Sequence, residues 1–239
     1  MPFTLIGLGL GDEKDITLKG YERIKDAHVV YYEDYTSLFG VSIERLTEFY
    51  GKHVIALNRE RMEKADFLDE AKKNTVALLV AGDPFSATTH YPLVMEARNK
   101  GIEVEIIHNA SIMTAIGELG LSLYKFGQTT SLPWEHKDIE SPFKAVCDNL
   151  SLGLHTLVLL DLDPVHKKTV TFADSCRYFL QRGIDAQRKA VGVVQLGQPG
   201  KKIVAGTLKE LSQKRIDAYP QCLVVCGKLH FVEEEALNF

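Results

Sequence analysis

Short apolar runs alternate with amphipathic segments along the first 107 residues of the chain. The strand candidates are the runs FTLIGLG, HVVYY, KHVIAL, TVALLVAG and GIEVEIIH. The segments between them predict helices near residues 17–27, 42–50, 60–73 and 91–99. Thr17 can cap the first helix, and Gly101 can end the last one in the left-handed conformation. Repeated strand–helix units of this kind predict a parallel sheet covered by helices.

The pattern changes after HNASIMTAIGELG. The stretch LSLYKFGQTTSLPWEHKDIESP contains polar turns, two prolines and the single tryptophan, Trp134, and so predicts a crossing into a second unit. Further on, HTLVLLDLD, AVGVVQL, KIVAGT and QCLVVCG are predicted to be strands, with helices near 142–151, 170–182 and 207–213. Closely spaced strands favour a mixed sheet with hairpins. The sequence therefore predicts a parallel α/β domain over residues 1–112 and a mixed α/β domain over residues 113–239.

The composition is that of an ordinary globular protein. Hydrophobic residues make up 45% of the chain and charged residues 25%, which excludes a disordered polymer. A formal net charge of −4 provides no basic surface for non-specific binding of nucleic acid. The first residues lack the basic and apolar regions of a signal peptide, and no apolar stretch reaches the ~18 residues of a membrane span. We therefore expect a cytoplasmic protein that binds neither membranes nor nucleic acid directly.

The four cysteines are Cys147, Cys176, Cys222 and Cys226. The closest pair, Cys222 and Cys226, falls in a strand-like run, which places the two side chains on one face about 13 Å apart. That distance is too long for a disulfide bond. We therefore expect four free thiols, mainly in packed positions, and no metal site.

The first predicted strand runs directly into the glycine-rich turn GLGLGDEKD, which begins at Gly7. Glycines at the end of a strand let the backbone turn sharply and approach a ligand closely. A dinucleotide-binding fingerprint has Gly or Ala where this chain has Asp12, and Glu13 and Asp15 follow. Carboxylates repel a pyrophosphate, whereas they attract the positive sulfonium and amine of S-adenosylmethionine. The turn therefore favours S-adenosylmethionine over NAD, and a tight turn with surface acids is the purely structural alternative.

Polar residues also follow the second, fourth and fifth predicted strands, and ligands of such sheets bind beyond the carboxyl ends of the strands. After the fourth strand, Asp83 can accept hydrogen bonds from a cofactor, or serve only the Gly-Asp-Pro turn. After the fifth strand, Asn109 or Ser111 can cap the next helix. The second strand ends in Glu33, Asp34, Tyr35, Thr36 and Ser37, of which the two carboxylates can reach a ribose hydroxyl.

Several of these segments together resemble the diphthine synthase family. The resemblance rests on LIGLGLGDEKDIT, YEDYTS, AGDPFSATTH, HNASI, LYKFGQT, HTLVLLDLD and GKLHFVE, which occur in this order from residue 4 to about residue 235. The diphthine synthases are similar to the tetrapyrrole methylases. The resemblance implies two α/β domains with S-adenosylmethionine in the cleft between them, and a homodimer. It also implies methylation of the 3-amino-3-carboxypropyl histidine of elongation factor 2, with S-adenosylhomocysteine as the second product.

Carried over position by position, the resemblance implies cofactor contacts from both halves of the chain. These are Leu10, Asp83, Ser86, Ser111, Ile112, Leu160, Val194 and His230. Ser86 and Val194 stand where the family usually carries other small residues, so the contacts expected there come from the backbone. Lys125, in the run LYKFGQT, is a candidate guide for the carboxylate of the substrate, or a surface lysine at a hinge.

Methyl transfer is an in-line displacement at a cationic sulfur, so positioning of the nucleophile can supply several kcal/mol of barrier lowering. An amine nucleophile must still lose its proton, and the candidate bases are His108, His155, His230 and Asp83. The sequence places none of them beside a substrate, and it identifies no general base. Packed or solvated roles remain the alternative for each of these histidines.

Three other functions remain open at the level of sequence. The same fold serves methyltransferases that act on tetrapyrroles or on ribosomal RNA, although this chain has no basic stripe for RNA. A nucleotide-binding dehydrogenase is disfavoured by Asp12 and by the lack of a hydride-site signature. A non-catalytic α/β binding module is the remaining possibility.

Overall fold

The computed structural model describes residues 3–34, 39–88, 90–163 and 168–238. The chain forms two compact units, Met1–Ala115 and Ile116–Phe239. Within the described residues, each unit contains a five-stranded sheet with its own apolar core. A boundary after residue 112 would divide the helix Ile112–Ala115, which belongs whole to the first unit.

The first unit is built on a parallel sheet. Its strands are β1 (Phe3–Gly7), β2 (Val29–Glu33), β3 (Val54–Leu57), β4 (Val76–Val80) and β5 (Val104–Ile107). They lie in the order β3-β2-β4-β1-β5, and each neighbouring pair is parallel. The predicted parallel sheet is confirmed. Because β1 lies between β4 and β5, the carboxyl ends of these three strands meet at one edge of the sheet.

Helices cover both faces of this sheet. They are α1 (Leu18–Asp26), α2 (Ile43–Tyr50), α3 (Arg59–Lys64), α4 (Tyr91–Asn99) and α5 (Ile112–Ala115). Successive side chains of a strand point to opposite faces, so Leu5 packs in the core beneath α3 and α4, and Ile6 packs in the core beneath α1 and α2. Thr17 caps α1 by accepting a hydrogen bond from Gly20 N, and Gly101 follows α4 with φ +71°, as predicted.

The helix predicted over residues 60–73 is wrong as a single element. The backbone of Ala65 adopts the left-handed conformation, with φ 50°, and ends α3 there. A 3-10 helix, Asp66–Lys72, follows directly. This turn directs Phe67 and Leu68 into the core, where both are buried. Burial of these two side chains therefore favours the break over a continuous helix.

The second unit contains a mixed sheet, as predicted. The strands of this unit are β6 (Thr130–Leu132), β7 (Thr156–Leu160), β8 (Leu162–Asp163), β9 (Lys168–Thr169), β10 (Lys189–Val194), β11 (Lys202–Thr207) and β12 (Gln221–Val225). The order of the main sheet is β11-β10-β12-β7-β6. All pairs in it are antiparallel except β6–β7, which is parallel. The strands β8 and β9 form a separate antiparallel pair.

The helices of the second unit are α6 (Ser141–Ser151), α7 (Phe172–Gln181), α8 (Leu208–Leu211) and α9 (Phe231–Ala236). The helix predicted over 207–213 is thus shorter than expected, and the patterns gave no indication of α9 or β6. All four cysteines are free thiols, and burial raises the pKa of the three buried ones, Cys176, Cys222 and Cys226, to about 12. Among the described residues, no helix has both the length and the apolar character needed to cross a bilayer.

Candidate functional site

Three loops meet at the carboxyl edge of the parallel sheet, and we call them the carboxyl-edge loops. They cover residues 8–17 after β1, 81–88 after β4 and 108–111 after β5. Gly9 and Gly82 join the first two loops through a pair of backbone hydrogen bonds of 3.1 and 2.7 Å. Both glycines have positive φ, +78° and +73°, which side-chain-bearing residues adopt only with strain. The glycines of the first loop therefore bring it against the second.

Asn109 ties the third loop to the first. Its side-chain amide donates to the carbonyl oxygens of Gly7, at 2.9 Å, and Asp15, at 3.0 Å. Its side-chain oxygen accepts from Ala110 N at 2.7 Å. A Cβ atom on Gly7 would lie only 2.5 Å from the carbonyl oxygen of Gly82, so the closely packed junction requires glycine there. Asn109 is thus a link between loops.

Asp83 is the centre of the hydrogen bonds between the second and third loops. Its Oδ1 accepts from Phe85 N at 2.9 Å and from Ser86 Oγ at 3.1 Å. Its Oδ2 accepts from His108 Nδ1 at 2.8 Å and from Asn109 N at 3.1 Å. Burial raises the pKa of Asp83, but the hydrogen bonds outweigh burial, and the pKa lies below its ordinary value. Asp83 is therefore an ionised anchor, and its pKa is too low for it to serve as a general base near pH 7.

The ring of His108 is held by Asp83 and open to solvent. A carboxylate only accepts hydrogen bonds, so Nδ1 of His108 must carry the proton that binds Asp83. In the neutral ring, Nε2 then holds the lone pair. The side chain is 67% exposed, and the ring packs edge-on against Phe85 with a centroid distance of 6.1 Å.

A second carboxylate–imidazole pair lies behind the loop after β4. Glu33, at the end of β2, and His90, just before α4, are both buried, and His90 Nε2 lies 2.7 Å from Glu33 Oε2. His90 Nδ1 donates to the carbonyl oxygen of Pro84 at 3.0 Å. Burial lowers the pKa of His90, but the bond to Glu33 and its charge outweigh burial and raise the pKa. This pair fixes the start of α4 to the end of β2.

The contact with His90 changes the interpretation of the residues after β2. Glu33 was a candidate for a ribose hydroxyl, but its Oε2 binds His90 inside the protein. Asp34 is exposed, and burial and the charge of Glu33 raise its pKa above the ordinary value. Asp34 thus stays the predicted ribose contact of this strand. Tyr35, Thr36 and Ser37 lie outside the described residues.

The acidic residues of the glycine-rich loop serve the loop itself. Asp15 Oδ2 accepts from Gly11 N at 2.7 Å, and Asp12 Oδ1 accepts from Lys14 N at 2.8 Å. Glu13 is buried and forms a 2.8 Å ion pair with Arg45 of α2. The electrostatic argument for a cationic cofactor therefore weakens. In dinucleotide-binding folds the pyrophosphate lies at the N-terminus of the helix that follows the glycine turn, and here α1 begins only at Leu18.

Five of the residues that the resemblance implies for the cofactor lie on the carboxyl-edge loops or directly after them: Leu10, Asp83, Ser86, Ser111 and Ile112. Leu10 is half-buried between Gly9 and Gly11. Ser111 is buried, and its Oγ accepts from Met113 N at 3.2 Å, so Ser111 caps the short helix α5. Ile112 is the first residue of that helix. The order of the sheet strands brings these five residues to one edge.

The other three implied cofactor residues lie in the second unit and do not share one edge of its sheet. β7 and β10 run in the same direction, and the register pairs Val194 with Gln221 and Leu159 with Cys222. Leu160 and Val194 therefore lie at the edge where β12 begins. His230 follows the far end of β12, which is about 13 Å away along the strand. His230 thus lies at the other end of the strand from Leu160 and Val194, and its contact with the cofactor stays a prediction.

The backbone N–H of His230 also contributes to a buried network around Glu233 of α9. Oε1 of Glu233 accepts from Ser122 N at 3.0 Å and lies 3.2 Å from His155 Nε2. Its Oε2 accepts from His230 N at 2.8 Å and from Lys125 Nζ. Burial raises the pKa of Glu233, but these donors outweigh burial and lower the pKa to about 2. One carboxylate therefore fixes α9 to two other segments of the second unit, residues 122–125 and His155.

His155 uses both ring nitrogens inside this network. Gly227 N donates to its Nδ1 at 3.0 Å, so the proton of the neutral ring sits on Nε2 and is donated to Glu233. The residue has 0% exposure, and burial lowers its pKa. His155 has no nitrogen left for a substrate, which excludes it as the general base.

Lys125 is also a structural residue, in contrast to the role of substrate guide. Its ammonium group binds Glu233 and the carbonyl oxygen of Lys228, at 2.6 Å from the latter. We expect Lys125→Ala to lower the free energy of unfolding by about 2 kcal/mol, because a buried carboxylate loses its charged donor. The KM for the methyl acceptor is expected to stay unchanged. Urea denaturation and steady-state kinetics check both results.

Lys228→Ala is the matched control for Lys125→Ala, because Lys228 is exposed and takes part in this hydrogen bond through its carbonyl oxygen. Its effect on unfolding is expected to stay within about 0.5 kcal/mol. A raised KM of Lys125→Ala at unchanged stability would contradict the structural role and favour substrate guidance.

Comparisons with known proteins match nearly the whole chain. The model of the family described as "Tetrapyrrole (Corrin/Porphyrin) Methylases" matches residues 2–212. A protein of Arabidopsis thaliana named probable diphthine methyl ester synthase is 43% identical, over 98% of this chain and 96% of the relative. The diphthine synthase of Methanocaldococcus jannaschii is 41% identical, over 98% and 97% of the two chains.

A solved structure extends the likeness to the fold. A crystal structure of diphthine synthase superimposes with a TM-score of 0.91 at 37% identity, covering 98% of this chain and 94% of that one. Identity of this size over nearly the full length of both chains shows membership of one family, and not only a shared architecture. The chain belongs to the tetrapyrrole methylase family and, within that family, to the diphthine synthases.

Proposed function

We propose that this protein transfers methyl groups from S-adenosylmethionine to the 3-amino-3-carboxypropyl histidine of elongation factor 2. The observation that carries the proposal is the match over 98% of the chain to proteins named diphthine synthase or diphthine methyl ester synthase. Some relatives are named diphthine synthase and others diphthine methyl ester synthase. We therefore propose the amine as the methyl acceptor, and experiment decides whether the carboxylate is methylated as well. A tetrapyrrole or ribosomal RNA as acceptor finds no separate support in the residues described.

The carboxyl-edge loops fit the proposed cofactor. Gly9 and Gly82 hold the first two loops together without side chains in the way, which leaves backbone groups of these loops close to one another. Asp83 shapes the second loop through its carboxylate, so a cofactor contact there comes from its backbone. Polar backbone groups of this kind bind the ribose hydroxyls and the adenine of S-adenosylmethionine, which carries no phosphate.

The remaining proposed cofactor contacts follow the family resemblance. They are Leu10 and Ile112 in the first unit, and Leu160, Val194 and His230 in the second. Val194 is fully buried within the second unit, and the contact that the resemblance implies there is one from the backbone. We also propose a homodimer in the cytoplasm, as the resemblance implies, and sedimentation of the purified protein tests the oligomeric state.

Calorimetry of the purified chain with S-adenosylhomocysteine, NADH and ATP separates a methyltransferase from a nucleotide-binding protein. We expect binding of S-adenosylhomocysteine alone. Binding of NADH or ATP in its place would overturn the choice of cofactor. The result does not depend on the methyl acceptor, so it tests the cofactor separately.

Transfer of radiolabelled methyl groups tests the acceptor. We expect label to enter elongation factor 2 that bears the 3-amino-3-carboxypropyl group on histidine. Elongation factor 2 with the unmodified histidine is the matched control and is expected to stay unlabelled. Mass spectrometry of the product then counts the methyl groups. Equal labelling of both forms would contradict the proposed substrate.

A further inference from the structure

His108 differs from the other titratable groups around the carboxyl-edge loops in having an open nitrogen. Asp12 and Asp15 bind backbone N–H groups, and Glu13 is paired with Arg45. Among the described residues, Nε2 of His108 has no hydrogen-bond partner, and its side chain is 67% exposed. Nε2 of His108 is therefore the candidate acceptor for a proton that is released at this edge.

The buried titratable groups at this edge bind partners inside the protein, except that Oε1 of Glu33 is buried without a hydrogen-bond partner among the described residues. Glu33 and His90 form a pair of 2.7 Å behind the loop after β4, and both ring nitrogens of His90 have partners. Asp83 accepts four hydrogen bonds. Asp34, at the end of β2, is an exposed carboxyl group that no described hydrogen bond orients. Of these groups, His108 alone combines an oriented ring with an open lone pair.

Two of the four candidate bases are thus excluded by their own contacts. Asp83 is an ionised anchor, and His155 is buried with both nitrogens bound. His230 is exposed, but no carboxylate among the described residues orients its ring. In His108, the bond of 2.8 Å to Asp83 fixes both the ring and its tautomer. A carboxylate in this position also stabilises the imidazolium that forms when Nε2 takes up a proton.

The proposed methyl transfer to an amine requires a group that accepts a proton. The acceptor amine is protonated near pH 7, because the pKa of an aliphatic amine lies above 7, at ~7.7–8.0 for an α-amino group and ~10.4 for lysine. The ammonium form has no lone pair and cannot attack a methyl group. Each transfer to nitrogen therefore needs one deprotonation, and a base with a pKa near the working pH is the most effective acceptor.

We propose that His108, oriented by Asp83, is the general base that takes the proton from the substrate ammonium group before each transfer to nitrogen. The inference rests on the proposed function. The N–H bond breaks and the proton passes to Nε2 of His108. The nitrogen lone pair then forms the N–C bond while the S–C bond breaks, and its electron pair stays on sulfur in neutral S-adenosylhomocysteine. The imidazolium returns the proton to solvent.

The test is His108→Asn, because the asparagine amide keeps an N–H donor near the position of Nδ1 and removes the base. Single-turnover transfer to modified elongation factor 2, at saturating S-adenosylmethionine, is measured from pH 6 to pH 10. At pH 7 the rate is expected to fall about 100-fold. From pH 7 up to the pKa of the substrate amine it is expected to rise about tenfold per pH unit, as the amine loses its proton to solvent. Added imidazole is expected to restore part of the rate at pH 7.

His53→Asn is the matched control, because His53 is exposed at the opposite edge of the same sheet, just before β3. It is expected to keep the rate and the pH profile of the unaltered protein. The affinity of His108→Asn for S-adenosylhomocysteine is expected to stay within twofold, which confirms a folded site. His108→Gln provides a second variant with the same expected profile, should the asparagine variant fail to fold.

Three results would overturn the inference, and they differ from one another. An unchanged rate and pH profile in His108→Asn would show that solvent removes the proton. A loss of S-adenosylhomocysteine affinity equal to the loss of rate would show that His108 positions the cofactor. Failure of the unaltered protein to methylate modified elongation factor 2 would remove the proposed function itself, before any variant is compared.

Discussion

Asp83→Asn is expected to abolish tight binding of S-adenosylhomocysteine and to lower the free energy of unfolding by about 3 kcal/mol. The two side chains have the same shape, so no cavity forms. The amide nitrogen of asparagine, however, would face two of the four donors that now bind the carboxylate. Each buried donor left without an acceptor costs ~1–3 kcal/mol. The second and third carboxyl-edge loops would then separate.

Ser86→Ala is the matched control for Asp83→Asn. It removes one donor, at 3.1 Å from Oδ1, and leaves the carboxylate with three. The expected loss of stability is about 1 kcal/mol, without loss of S-adenosylhomocysteine binding. Urea denaturation and calorimetry measure the two quantities for both variants. Equal behaviour of the two variants would contradict the role of Asp83 as the anchor of these loops.

The sequence predicted that three loops lie together, because the carboxyl ends of neighbouring parallel strands meet at one edge of a sheet. Glycines and polar residues after the first, fourth and fifth strands indicated loops at one sheet edge, and the strand order places those three ends side by side. The partners within the site were not predictable in this way. Asp83 and His108 are separated by 25 residues, and Glu33 and His90 by 57. These pairings follow from the sheet order, which local patterns do not contain.

The role of the acidic loop shows the same limit. Glu13 faces Arg45, 32 residues further along the chain, and is buried by that contact. The local sequence does not show this distant partner, so it indicated a free carboxylate at Glu13. The bond of Asp15 to Gly11 N is local, four residues apart. It is the kind of turn contact that an aspartate in a glycine-rich loop commonly makes, and the sequence offered that structural alternative for the loop.

Secondary structure was predictable where the pattern was strong and long. The five strands of the first unit and α1, α2 and α4 agree with the apolar runs and amphipathic segments. The break at Ala65 had no signal, because alanine is a good helix former and only tertiary packing of Phe67 justifies its left-handed conformation. The strand β6 has three residues, and it forms only because β7 offers a parallel edge.

The helix α9 was missed for a different reason. Its sequence, FVEEEA, is short and exposes Phe231 and Val232, so it lacks the apolar face that identifies a helix. Its inward-facing residue is Glu233, which is charged. A carboxylate thus takes the position where the pattern requires an apolar residue. Hydrophobic periodicity therefore could not predict the contact that holds this helix.

Glu233→Gln is expected to lower the free energy of unfolding by about 3 kcal/mol at pH 7. The substitution keeps the shape of the side chain but removes its charge and half of its acceptor capacity. Lys125 would lose its buried counter-ion, and the N–H groups of Ser122 and His230 would compete for one oxygen. Glu234→Gln, at the exposed neighbouring position of the same helix, is the matched control and is expected to change stability by less than about 0.5 kcal/mol.

Acid titration of the same two variants separates the charge of Glu233 from its packing. The pKa of Glu233 is lowered from its ordinary value of 4.5 to about 2. A lowered carboxyl pKa contributes stability that is fully present above pH 4.5 and is lost as the pH falls towards 2. The stability difference between the unaltered protein and Glu233→Gln is therefore expected to shrink over that interval, whereas Glu234→Gln stays close to the unaltered protein. A difference that is constant from pH 5 to pH 2.5 would show that α9 is held by packing alone.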